Sequence, residues 1–115
     1  MNLLQETKEI LKEMGKKESD VLWVGSTDGK YIITFQQFKK LAQSFIYDEG
    51  FGAQEVARDL VVVGKDWWLE RSEYDGSEGW EYKTIPSKTN KPKKIKEIGQ
   101  TKKIMGESIE DLNEE

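Results

Sequence analysis

Residues 67–82 read Trp67-Trp68-Leu69-Glu70-Arg71-Ser72-Glu73-Tyr74-Asp75-Gly76-Ser77-Glu78-Gly79-Trp80-Glu81-Tyr82. The stretch holds three of the four tryptophans and two of the four tyrosines of the chain, interleaved with acidic residues. Residues 67–74 and 80–84 are typical of β-strands, and the glycines between them indicate a turn, so the stretch predicts a β-hairpin. Large aromatic side chains in such a hairpin either fill a core or contact a partner.

The length of the hairpin loop decides which aromatic residues share a face of the sheet. A loop of residues 75–79 places Trp80 on the face of Trp68, whereas a two-residue turn at Gly76-Ser77 places it on the face of Trp67. Because consecutive strand residues alternate between faces, Trp67 and Trp68 point in opposite directions under either alternative. The sequence therefore leaves open which of the two adjacent tryptophans is buried.

The pattern up to residue 85 predicts two helices and three further strands. Apolar residues at helical spacing predict helices over residues 3–16 and 35–46, and Thr34 is the expected N-cap of the second. Runs of β-branched and aromatic residues predict strands at residues 21–25, 31–34 and 60–63, and residues 53–59 suit a short helical turn. The expected fold is α+β, with two helices packed on a mainly antiparallel sheet of about five strands.

Charge is unevenly distributed along the chain. Residues 1–81 carry 10 basic and 16 acidic side chains, residues 82–104 carry 8 basic and 1 acidic, and residues 105–115 carry 5 acidic and no basic. Apolar residues become sparse after Ile85, and low hydrophobicity with blocks of like charge favours disorder. We therefore predict one folded domain at residues 1–85 and a flexible tail at 86–115, lysine-rich and then acidic.

The chain lacks the residue types on which most catalytic sites depend. It contains no cysteine and no histidine, which rules out the usual zinc sites, cysteine nucleophiles and Ser-His-Asp triads. The acids at 70–81 lack the ligand spacing of an EF-hand, and a carboxylate hydrolase would need two of them facing each other across a cleft. We expect no enzyme activity, no cofactor and no bound metal.

Nothing in the sequence predicts membrane insertion. No apolar run approaches the roughly 18 residues of a spanning helix. The first residues are too polar for a signal peptide. We expect a cytoplasmic protein.

Two binding hypotheses remain. The first is a protein-binding surface on the hairpin. Its acidic residues would favour a basic protein partner and repel phosphates. The residues of this surface would be Trp68, Glu70, Tyr74, Asp75, Glu78, Trp80 and Tyr82. The second is a nucleic-acid accessory role for the tail through Lys88, Lys91, Lys93, Lys94 and Lys96. The tail has neither arginine nor aromatic residues for base recognition, which disfavours the second hypothesis. Homodimerisation through a sheet edge or the aromatic residues is compatible with the first.

The blocks Tyr47-Asp48-Glu49-Gly50-Phe51-Gly52, Asp59-Leu60-Val61-Val62-Val63-Gly64, Trp67-Trp68-Leu69-Glu70-Arg71 and Glu73-Tyr74-Asp75-Gly76-Ser77-Glu78 resemble small uncharacterised proteins encoded by prophages and integrative elements of Gram-positive bacteria. The resemblance covers roughly residues 45–84. It implies no catalytic or binding residues. It does imply a setting, since small acidic proteins of mobile elements often bind a host or phage protein, anti-defence inhibitors among them.

Overall fold

The structure is a computed structural model that describes residues 1–47, 54–74 and 76–114. The chain divides into two units, Met1–Ile85 and Pro86–Glu115. The division falls where the apolar pattern of the sequence ends.

The first unit has an α+β fold, as the sequence predicts. Its elements are α1 (Leu3–Glu13), a 3-10 turn (Glu18–Asp20), β1 (Trp23–Ser26), β2 (Ile32–Ile33), α2 (Phe35–Ala42), β3 (Leu60–Val63), β4 (Trp67–Tyr74) and β5 (Ser77–Thr84). The five strands form one sheet in the order β2-β1-β3-β4-β5, and every neighbouring pair is antiparallel.

Side-chain caps begin both helices. Asn2 accepts a hydrogen bond from the backbone of Gln5 at the start of α1. Thr34 and Gln37 form the capping box of α2, which confirms Thr34 as its N-cap. Such caps satisfy backbone N–H groups that have no partner within the helix.

The second helix is shorter than its apolar pattern predicts. α2 ends at Ala42, whereas the pattern extends to Ile46. Residues 45–47 pair with the start of the chain: Leu3 N–H donates to the carbonyl of Phe45, and Tyr47 N–H donates to that of Met1. Backbone groups engaged in this pairing cannot continue a helix, which leaves Ile46 exposed. The helical turn predicted at 53–59 is also wrong for residues 54–59, which contain only a bend and a turn, while residue 53 lies outside the described residues.

The sheet has an inner face that carries the helices and an outer face that does not. One row of side chains crosses the inner face from β2 to β5: Ile33, Val24, Val62, Leu69 and Tyr82. Val24, Val62 and Leu69 form one core cluster with α1 residues (Leu3, Leu11) and α2 residues (Phe35, Phe38, Ala42). Both helices of this unit therefore pack on the inner face.

The second unit contains one short helix, α3 (Ile109–Asn113), capped by Ser108. The Asn113 side chain accepts hydrogen bonds from the backbone N–H groups of Lys96 and Glu97 and donates to the carbonyl of Glu97. The other described residues of this unit form no helix or strand. Within the described residues of the whole chain, no helix is both long enough and apolar enough to cross a membrane.

Candidate functional site

The β4–β5 hairpin has a tight turn that fixes the faces of its aromatic residues. Tyr74 pairs with Ser77, so only two residues separate the strands, and Gly76 adopts a φ of +84° that suits glycine. The pairing continues to Arg71 opposite Trp80. This register places Trp80 on the face of Trp67, as the short-turn alternative predicts.

The residue that pairs with Trp80 across the hairpin differs from the one expected under either alternative drawn from the sequence. The loop of residues 75–79 would have set Trp80 opposite Tyr74, and the Gly76-Ser77 turn would have set it opposite Glu73. The turn lies one residue earlier than Gly76-Ser77, so β5 begins at Ser77 rather than at Trp80 and the register shifts by two residues. A shift of two residues preserves the face of each side chain.

The residues proposed for one protein-binding surface are divided between the two faces of the sheet. Trp68, Glu70 and Tyr74 belong to the outer face, whereas Glu78, Trp80 and Tyr82 belong to the inner face. Asp75 lies outside the described residues. The structure therefore does not bring this set together, because strand alternation separates its members.

The inner face of the hairpin contains a buried charge cluster, formed by Arg71, Glu6, Glu78, Tyr47, Trp80 and Thr7. Arg71 Nη1 donates to Glu6 Oε1 and Arg71 Nη2 donates to Glu78 Oε2, each at 2.9 Å, and the Arg71 side chain is fully buried. A buried guanidinium is tolerated only when carboxylates compensate for its lost hydration. The cluster thereby connects α1 to both strands of the hairpin.

Aromatic rings enclose the Arg71 guanidinium. Its Cζ lies 4.7 Å from the ring centroid of Trp80 and 5.2 Å from that of Tyr47. Burial acts to lower the pKa of Arg71, but contacts with Tyr47, Glu78 and Glu6 outweigh it, so the pKa is raised and the group stays charged. Arg71 Nε has no hydrogen-bond partner among the described residues.

Tyr47 contributes a phenol to the cluster, and the pKa of that phenol is strongly raised. Burial is the main cause that raises its pKa to about 12; Glu6 adds to the effect and Arg71 opposes it. Its hydroxyl is buried and has no hydrogen-bond partner of normal geometry among the described residues, although both charged groups lie near enough to act on it. The neutral phenol is therefore the form that the cluster favours.

Three further hydrogen bonds extend the cluster. Trp80 Nε1 donates to Thr7 Oγ1 at 2.8 Å, and that hydroxyl donates to the carbonyl of Leu3. Glu55 N–H donates to Glu78 Oε1 at 2.7 Å. These contacts join hairpin, α1 and the residues before β3. The cluster therefore connects parts of the fold and is not an exposed binding site.

The outer face carries a row of side chains that we call the tryptophan row: Trp23, Val63, Trp68 and Lys83. Each is the direct cross-strand neighbour of the next, from β1 through β3 and β4 to β5. Strand spacing gives the row a length of about 14 Å. Both tryptophans are half-buried. The parallel second row contains Gly25, Val61, Glu70 and Glu81.

Polar contacts hold the β5 end of the outer face. Trp68 Nε1 donates to Glu70 Oε2 at 3.1 Å, which ties the indole to the second row. Lys83 Nζ lies 3.2 Å from Glu81 Oε1 and 3.7 Å from Glu70 Oε1. Glu81, acting mainly through this hydrogen bond, raises the pKa of Lys83. Tyr74, near the hairpin turn, is 84% exposed.

The predicted site in the second unit consists of exposed lysines. Lys88, Lys91, Lys93, Lys94 and Lys96 are all exposed, and Lys93 Nζ pairs with Glu114 Oε1 at 2.7 Å. No group of three or more acidic side chains among the described residues is arranged to hold a metal ion.

Sequence reasoning missed Arg71, Glu6, Thr7 and Tyr47 as members of one cluster. A signal for Arg71 was present, since it follows Trp67 and Leu69 at strand spacing and so shares their inner face. Its partners come from α1 and from the segment after α2, and no local pattern brings those together. Trp23 and Val63 were missed as site residues for the same reason, because cross-strand register is not local.

No protein-family model matches the chain, and comparisons with curated proteins and with solved structures found no match.

Proposed function

We propose that the chain is a non-enzymatic protein-binding module and that the outer face of its sheet is the contact surface. The observation that carries the proposal is the pair Trp23 and Trp68 in one row on the face opposite both helices of the first unit. Both tryptophans stay partly accessible there, because the helices of this unit pack on the opposite face. Tryptophan and tyrosine are the residues most enriched at the energetic centres of protein interfaces.

The composition of the outer face supports the same proposal. Trp23, Val63 and Trp68 offer apolar area at low entropic cost, since a tryptophan side chain has few rotatable bonds. Glu70 and Glu81 supply polar groups beside that area, as in the rim of an interface. The inner-face aromatic residues Trp80 and Tyr82 pack against the core instead and are not part of the proposed surface.

The proposed setting is the cytoplasm of a bacterium that carries a mobile element, with a host or defence protein as the partner to be inhibited or modulated. The resemblance of residues 45–84 to proteins of prophages and integrative elements supports this setting. The lack of histidine and cysteine supports a binding role over catalysis.

Trp68→Ala and Trp23→Ala test the surface, with Leu41→Ala as a matched control, because Leu41 is an exposed apolar residue of α2. A partner captured on the immobilised wild-type protein is purified and titrated against each variant, and circular dichroism monitors folding. We expect both tryptophan variants to stay folded and to bind at least about tenfold more weakly, a loss of about 1.4 kcal/mol. Unchanged binding by folded tryptophan variants, or weakening that only follows unfolding, contradicts the proposal.

A second candidate function is nucleic-acid binding through the tail. The observation in its favour is the exposure of all five lysines of residues 88–96. Phosphate contacts weaken steeply with salt, so titration of generic DNA and RNA between 50 and 200 mM salt is the test. Binding at low salt that is lost when the five lysines are changed to glutamine supports this function, and no binding at low salt removes it.

A further inference from the structure

We infer that the outer face binds an extended, arginine-bearing segment of its protein partner, with the guanidinium held by Trp68, Glu70 and Glu81. The inference rests on the proposed function and names the chemistry of the partner. Three observations carry it: a cation already seated on the outer face, an arginine site built from the same residue types on the inner face, and the charge of the folded unit.

The first observation is the position of Lys83. Its ammonium lies between Glu70 and Glu81, at 3.7 and 3.2 Å, and its backbone lies directly opposite Trp68. The fold thus shows that this place accommodates a cation between two carboxylates, one of which accepts a hydrogen bond from the Trp68 indole. All three charged side chains are substantially exposed, and exposed ion pairs contribute little to stability. A partner cation can therefore replace Lys83 at small cost.

The second observation is the arginine site on the inner face of the same hairpin. Arg71 stacks 4.7 Å from the centroid of Trp80 while its nitrogens contact Glu78 and Glu6 at 2.9 Å. The outer face repeats one indole and two carboxylates, with only a lysine between them. A planar guanidinium can stack on an indole and pair with a carboxylate at two atoms, which an ammonium cannot do.

The third observation is the charge of the first unit. Residues 1–85 contain 11 basic and 16 acidic side chains, a net charge of −5. This field attracts a basic segment and repels phosphate groups. The apolar part of the tryptophan row, Trp23 and Val63, lies on the side of Trp68 away from Lys83 and Glu81. A partner segment that fits this face therefore carries an apolar residue next to its arginine on the bound side.

The test uses the full-length protein and a synthetic eight-residue peptide, Arg-Arg-Leu-Leu repeated twice, which in an extended conformation presents arginine and leucine in turn on each face. Binding is titrated by calorimetry at 150 mM salt. The matched probe has lysine in place of arginine. We expect the arginine peptide to bind at least about tenfold more tightly than the lysine peptide. Equal affinities overturn the inference, because they indicate charge attraction alone.

Three variants and one control locate the contact. Glu70→Gln and Trp68→Ala should each weaken binding of the arginine peptide about tenfold. Lys83→Gln should strengthen it several-fold, because it removes the competing cation. Glu13→Gln, an equal change of charge on an exposed position of α1, should have less than a twofold effect. Weaker binding by Lys83→Gln, or equal effects of Glu13→Gln and Glu70→Gln, contradicts the inference.

Failure of the inference is distinguishable from failure of the proposed function. If a captured partner requires Trp23 and Trp68 but not Glu70, and the peptide does not bind, the outer face is a protein interface without arginine recognition. If the captured partner requires neither tryptophan, the proposed function itself fails.

Discussion

Trp67 and Trp68 are consecutive residues of β4, and their indoles lie on opposite faces of the sheet. Trp67 is 3% exposed and stacks on Tyr82, with ring centroids 6.0 Å apart. Trp68 is half-buried on the outer face and donates its N–H to Glu70. One backbone segment thus supplies an anchor of the core and a residue of the proposed contact surface.

The first prediction compares these two tryptophans. Trp67→Ala removes a buried indole and should lower the free energy of unfolding by about 3–5 kcal/mol. Trp68→Ala leaves no enclosed cavity and should cost about 1 kcal/mol. Urea unfolding followed by circular dichroism measures both values. Equal losses would show that Trp68 is as much a core residue as Trp67.

The second prediction concerns Arg71. Arg71→Ala leaves the Glu6 and Glu78 carboxylates without their shared cation, and removing one member of a buried ion pair costs about 3–5 kcal/mol. Arg58→Ala is the matched control, since Arg58 is exposed, and it should change stability by less than about 0.5 kcal/mol. Denaturant midpoints of the two variants decide the matter. Similar small effects would mean that the charge cluster does not tie α1 to the hairpin.

The third prediction concerns pH and Tyr47. Its pKa in the folded protein is about 12, above the ordinary value of 10.0, so folding favours the protonated phenol. The stabilisation is fully present below pH 10 and is lost as the pH rises from 10 through 12. Tyr47→Phe cannot ionise at this position and should lose less stability than the wild type between pH 9 and 11.5. Denaturant midpoints at these two pH values test the difference, and parallel losses in both proteins would contradict it.

The sequence predicted the fold where short-range signals were sufficient. Strand-like runs and the helical stripe of α2 depend on neighbouring residues, and the five antiparallel strands follow from them. The predicted end of α2 was wrong because Phe45 and Tyr47 pair with Leu3 and Met1, more than 40 residues away in sequence. A helical pattern carries no information about such a competing partner.

The candidate site was predictable only in part, because its composition depends on the register in which the strands of the sheet pair. Strand alternation correctly separated Trp67 from Trp68, but the loop length that places Trp80 was open until the turn at Gly76 was known. The neighbours of Trp68 on the outer face, Trp23 and Val63, come from other strands. No spacing within one strand predicts them.

The fourth prediction concerns Gly25, which lies in the second row of the outer face between Val61 and Ile32. A Cβ added to Gly25 would overlap the backbone carbonyl oxygen of Tyr31. Because that obstacle is backbone in the β1–β2 hairpin, it cannot rotate away as a side chain would. Gly25→Ala should therefore force the two strands apart and destabilise the protein by about 1–3 kcal/mol.

The measurement for Gly25→Ala is thermal unfolding, in which a loss of 1 kcal/mol lowers Tm by about 4–8 °C in a domain of this size. Gly99→Ala is the control, since a Cβ at Gly99 would meet no atom within 4 Å. A Tm close to wild type for both variants would show that β1 and β2 do not approach as closely as described. If Gly25→Ala lowers Tm while Gly99→Ala does not, the absent side chain at position 25 is a requirement of the sheet that carries the tryptophan row.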